Sequence, residues 1–93
     1  MRTISRISRF KKDYKREIKG QHRETLDADL VAVLSHLIED KPLPEKFRDH
    51  AFTGEWSDHR DCHIKPDLVL VYRVPDEESL ELVRLGSHSE LSL

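Results

Sequence analysis

The sequence predicts an α+β domain in the order β-α-α-β-β-β, with two N-terminal helices packed on one face of an antiparallel sheet. Three observations carry this. Leu26, Leu30, Val33, Leu34, Leu37 and Ile38 recur at helical spacing along one stripe. Leu68-Val-Leu-Val-Tyr-Arg-Val74 is an apolar run rich in β-branched residues and apolar on both faces, as a central strand is. Pro75-Asp-Glu-Glu-Ser79 is then a hairpin turn, after which Leu80 to Leu85 returns antiparallel. A chain of 93 residues, 37% apolar with a mean hydropathy of -0.66, suits a single domain over residues 1–93 with a modest core.

The earlier elements follow in order. Thr3 to Ser8 alternates loosely and predicts a first strand. Ser8 can cap a helix in which Phe10, Tyr14 and Ile18 share one stripe, with Gly20 at its end. Aromatics at this spacing are core rather than a base-stacking surface. Thr25 or Asp27 can cap the second helix, Asp27 and Asp29 suit its first turn, and Lys41-Pro42 stops it. Pro42-Leu-Pro44 is a stiff connector, and Gly54 is a turn candidate. From Ser57 to Lys65 the pattern is strand-like: His59, Asp61, His63 and Lys65 fall on one face, and Asp58, Arg60, Cys62 and Ile64 on the other. Residues 86–91 leave the sheet as a tail too short for a long helix.

Charge is unevenly spread. Residues 1–23 carry a net +7 and the remainder -9, so the N-terminal segment can hold a polyanion or an acidic partner, or be a solvated helix face. No apolar run reaches the roughly 18–20 residues of a membrane helix. The N-terminus has no apolar stretch behind its charges, so the expected location is the cytoplasm. Cys62, the one cysteine, has no partner for a disulfide and no second thiol for a structural zinc site.

Proton-transfer groups cluster in residues 47–67, which hold His50, His59 and His63 together with Trp56 and Cys62. His50, His63 and His88 come from a loop, a strand and a tail, so a small sheet can gather them at one end. Two imidazoles and a carboxylate such as Asp67 meet the needs of a metal-free ribonuclease: one group takes the ribose 2′-OH proton and another protonates the leaving 5′-oxygen. Arg60 and Arg84 are candidate cations for the phosphate. A metal site of His59, Asp61, His63 and Asp67 is the lesser alternative, because it matches no standard ligand spacing. His22 and His36 are expected to be surface residues.

Arg48-Asp-His50, Gly54-Glu-Trp56, Arg60-Asp-Cys-His63-Ile-Lys-Pro-Asp67-Leu-Val-Leu-Val-Tyr72 and Arg84-Leu-Gly-Ser-His88 together resemble the YafQ subgroup of RelE-type bacterial toxins over nearly the whole chain. The resemblance implies a RelE-like fold and a cytoplasmic endoribonuclease that cleaves mRNA in the ribosomal A site. It implies a cognate antitoxin partner, of ribbon-helix-helix type, and neither metal nor cofactor. By position His50, His63, Asp67 and His88 match the family's catalytic set, with Asp61, Arg60, Arg84 and Lys65 as supporting or substrate-binding groups. Three departures stand out: there is no aromatic after His88, Leu68 stands where close relatives carry Trp, and the net charge is slightly acidic. An alternative of another class, an antitoxin-binding module with weak or lost cleavage, is favoured by the missing aromatic and opposed by the four retained catalytic-type residues.

Overall fold

The computed structural model describes residues 1–51 and 58–91. The Gly54 turn, Trp56, the strand start at Ser57 and the tail residue Ser92 lie outside the described residues. Within them the order is β1 Thr3–Arg6, α1 Ser8–Glu17, α2 Leu26–Ile38, a 3-10 turn Glu45–Phe47, β2 His50–Ala51, β3 Arg60–Lys65, β4 Leu68–Asp76, β5 Ser79–Gly86 and α3 His88–Leu91. The described strands form one sheet in the order β1-β5-β4-β3-β2. All pairs are antiparallel except β1 with β5, which run parallel. Two-residue connections link β3 to β4 and β4 to β5, whereas β1 reaches β5 only across the rest of the chain, helices included.

The sheet divides the core into two unequal parts. Phe10 from α1 and Leu26, Leu30, Val33 and Leu37 from α2 pack on Leu68, Leu70, Tyr72, Leu80, Leu82 and Leu85. The opposite face holds a smaller cluster of Val69, Val71 and Val83 under Leu91. β4 is therefore buried on both sides, as its unbroken apolar run predicts. Leu68, 1% exposed, belongs to the helix-side core and offers no stacking surface. Cys62 is fully buried in the same core, and burial pushes its thiol pKa far up, which leaves it inert.

The helix ends differ in detail from expectation. Ser8 is the first helical residue, and Ile7 takes the cap position with no side-chain bond. Thr25 does occupy the cap of α2, also without one; the Asp27 carboxylate instead accepts a hydrogen bond from the Tyr14 hydroxyl and ties α2 to α1. The C-terminus of α2 closes as a Schellman motif: Lys41 N–H donates to His36 O at 2.8 Å, Asp40 N–H to Leu37 O at 3.3 Å, and Asp40 sits at φ 57°.

The polar centre of the fold is Asp13, only 4% exposed in the middle of α1. Its carboxylate accepts the Leu85 N–H at 3.0 Å and Arg84 Nε at 2.7 Å, both from β5, as well as Arg16 Nη1 at 3.2 Å. Arg16 in turn donates Nη2 to Leu85 O at 2.8 Å. Arg16 thus serves the structure although it stays exposed to solvent, as Arg9, Lys11, Lys12 and Lys15 of the same helix do.

Burial raises the Asp13 pKa, but the bonds from Arg84 and Leu85 and the charges of Arg84 and Arg16 outweigh it and hold the carboxyl below the ordinary range. A depressed carboxylate contributes stability that is present above the unfolded value of about 3.9 and lost as pH falls through the folded value. Asp13→Asn is therefore expected to cost about 3 kcal/mol at pH 7, the usual scale for breaking a buried pair, and progressively less as pH falls below about 3.9. Urea unfolding at pH 7 and at a series of lower pH values checks this.

Candidate active site

The sheet register sets up the site. His50 on β2 is opposite Asp61 on β3, Asp61 is opposite Val71 on β4, and Val71 is opposite Arg84 on β5. The next row joins His63, Val69 and Gly86. Directly opposed residues share a face, and the two valines assign these rows to the face away from α2.

Asp61 is the buried centre of this face, 2% exposed. His50 Nε2 lies 2.9 Å from its Oδ1, close enough for an ion pair but not aligned as a hydrogen bond, so among the described residues this buried oxygen has no aligned donor. Burial raises the Asp61 pKa; the charges of His50, His63 and His88 pull the other way without cancelling it. All three histidines therefore stand near one carboxylate. His50 donates Nδ1–H to Arg48 O at 3.0 Å, which fixes its tautomer and turns Nε2 toward Asp61. The His63 and His88 rings are 5.1 Å apart between centroids, tilted by 53°.

His88 is placed by a capping box that the sequence carries as Ser87-His-Ser-Glu90 and that our sequence reading missed. Glu90 N–H donates to Ser87 Oγ at 3.1 Å and Ser87 N–H to Glu90 Oε1 at 3.0 Å, winding α3 so that His88 meets His63 while Leu91 is buried. Arg16 Nε holds the other Glu90 oxygen at 3.1 Å. Gly86 permits this approach, since a Cβ there would stand 2.7 Å from Arg16 Nη2.

His50 has its own anchor, also missed. Asp49 accepts Arg60 Nη2 at 2.9 Å, Arg60 Nε at 3.3 Å and the Tyr72 hydroxyl, all on the helix side of the sheet. Its neighbour His50 consequently falls on the opposite side, against Asp61.

Other expected residues are engaged elsewhere. Arg60 is held by Asp49, and Arg84 uses Nε and Nη2 on Asp13. A β-bulge between His63 and Lys65 breaks the alternation, so Lys65 leaves the histidine face and pairs with Asp29 of α2 at 2.7 Å. Asp67, half exposed at the β3–β4 turn, accepts Gln21 Nε2 at 2.8 Å and contacts His22 Nε2 at 2.9 Å. His22 is therefore not an idle surface residue. His59 contacts Asp58 at 2.7 Å. The alternative metal set is dispersed accordingly, and among the described residues no three His, Cys, Asp or Glu side chains are grouped to hold a metal.

Comparison with known proteins places the fold. A family model described as the bacterial toxin YafQ of type II toxin–antitoxin systems matches residues 2–93. The mRNA interferase toxin YafQ of Escherichia coli strain K12 is 30% identical over 90 residues, covering 95% of this chain and 97% of that one. Among solved structures, a copper-bound mutant toxin from Helicobacter pylori matches with a TM-score of 0.85 at 44% identity, covering 98% of this chain and 99% of that one. The E. coli DinJ–YafQ complex matches with a TM-score of 0.80 at 32% identity, covering 98% of each chain.

Asp61 makes the site a stability liability. A carboxyl whose folded pKa is raised loses stability as pH rises through the window above its unfolded value of about 3.9, and the full penalty persists at neutral pH. Asp61→Asn is expected to melt higher than the parent at pH 7, with the advantage vanishing below about pH 4. Thermal melts across that range test the sign.

Proposed function

Because the chain belongs to the YafQ family of bacterial toxins of type II toxin–antitoxin systems, we propose that it is an endoribonuclease that cuts mRNA on the ribosome by metal-free general acid–base catalysis. In this reading it acts in the cytoplasm and a cognate antitoxin of ribbon-helix-helix type silences it. The observation that carries the chemistry is the His63–His88 pair beside the Asp61–His50 pair.

A phosphodiester placed between His63 and His88 can be served by both rings. One imidazole removes the ribose 2′-OH proton, the 2′-oxygen attacks phosphorus, and the bond to the 5′-oxygen breaks as the other imidazolium protonates it. The products are a 2′,3′-cyclic phosphate and a 5′-hydroxyl. Asp61 lies 2.9 Å from His50 Nε2 and sets that ring beside the pair. Arg84, in register with Asp61 through Val71, offers its remaining nitrogen to the phosphate. Asp67 enters as the rim carboxylate that meets a ribose hydroxyl when substrate displaces Gln21 or His22.

His63→Ala and His88→Ala are expected to reduce mRNA cleavage on translating ribosomes about 100- to 10,000-fold, while stability changes by about 0.5 kcal/mol or less. His36→Ala, whose Nδ1 bonds only within its own helix, is the control. Unchanged cleavage in both site variants would remove the catalytic assignment.

A chelator that spares ribosome integrity is expected to leave cleavage intact, since the site supplies its own proton donors and acceptors. Loss of cleavage restored by zinc, copper or manganese would overturn the metal-free mechanism.

A further inference from the structure

A cavity of about 270 Å³ opens beside His63, between the 3-10 turn and the β3–β4 turn. Lys46, Arg48 and Lys65 line it, with Ile64 and Pro66 as apolar wall, and no acidic side chain lines it among the described residues. The part of the chain beyond residue 23 carries a net charge of -9, so an all-cationic lining here runs against the local composition. Lys65 directs its ammonium to Asp29, which leaves Lys46 and Arg48, both exposed, as the charges not spent within the fold. Lys46 lies 5.1 Å from the Phe47 ring centroid, which steadies it at the rim.

Arg48 adds a second observation. It holds φ 48° and ψ 46°, a left-handed conformation that costs a residue other than glycine about 1 kcal/mol or more. Its carbonyl is the acceptor that orients His50. One strained residue thus lines the cavity with its side chain and orients the site histidine with its backbone.

Resting on the nuclease reading above, we propose that this cavity is a subsite for the phosphate and ribose of a nucleotide adjoining the cleaved bond of single-stranded RNA, with Arg48 and Lys46 as its phosphate-binding groups. A phosphate held there sets the register of the strand against His63 without reading a base. The apolar wall of Ile64 and Pro66 receives the sugar.

The test is binding of a fluorescein-labelled 2′-O-methyl hexauridylate, which cannot be cut because its attacking oxygen is blocked, followed by anisotropy over a range of salt. The double variant Lys46→Glu, Arg48→Glu is expected to bind about tenfold more weakly or worse, with the slope of log K against log salt reduced by about 1. Arg48→Gly removes the guanidinium where the backbone suits glycine, so it keeps the test decisive if the double variant fails to fold; it should also weaken binding. Lys41→Glu, outside the cavity, should bind as the parent does. Equal affinity and slope in the parent and both cavity variants would overturn the subsite, as would unchanged RNA binding with loss of binding to hexaglutamate, which would mark a protein partner's acidic segment instead. Weakened binding in the variants of a parent that fails to cut mRNA would uphold the subsite and sink the nuclease reading.

Discussion

The carboxylate of Asp13 is the constraint on which both fold and site depend. Within its own helix only Arg16 reaches it, and burial with so few partners would cost several kcal/mol, so α1 is stable where β5 presents the Leu85 N–H and the Arg84 guanidinium. That requirement fixes the register between helix and strand more tightly than Phe10 alone can, because apolar contacts tolerate sliding and hydrogen bonds do not. The same network extends outward. Arg16 leaves Asp13 for Leu85 O and Glu90, and Glu90 closes the box that winds α3. His88 is thereby positioned by a chain of charged contacts that begins 75 residues earlier in sequence.

The sheet separates two kinds of polar work by face. On the helix side Asp49 gathers Arg60 and the Tyr72 hydroxyl, and burial together with Asp49 drives the Tyr72 pKa far up, so this hydroxyl keeps its proton. On the other side Asp61 faces three histidines with an oxygen that, among the described residues, lacks an aligned donor. The satisfied cluster supports the fold; the unsatisfied one is left poised to respond to charge. Alternation along residues 49–50 and 60–61 lets each strand serve both without a loop between them.

The sequence carries much of this plainly. Both helices, the central β4 run and the returning β5 are legible because each has one period and one apolar solution. The family motifs bring His50, His63 and His88 to mind as a set, and the structure does gather them around Asp61. What stayed hidden has physical reasons. The parallel partner of β1 is a tertiary choice, invisible to local pattern. Asp13 reads as one more polar residue on a cationic helix, and only the fold shows that it points inward. Lys65 keeps strand parity with His63 in the sequence, and a single bulge turns it toward α2. Arg60 and Arg84 have the chemistry of phosphate ligands, but Asp49 and Asp13 claim most of their donors. Ser87 and Glu90 are readable as a capping box, three residues apart, but the expectation of a tail too short for a long helix gives that box nothing to start.

The parallel pairing of β1 with β5 has a consequence for the order of events during synthesis. A chain that has emerged only through α2 has no neighbour for β1 and nothing to receive Asp13. Hairpin β3–β4 can close next, since its contacts are local, but the sheet edge where β1 belongs is not made until residues 79–86 appear. His88 follows them. A nascent polypeptide therefore passes most of its growth without the paired imidazoles, and a product truncated before residue 88 never acquires them.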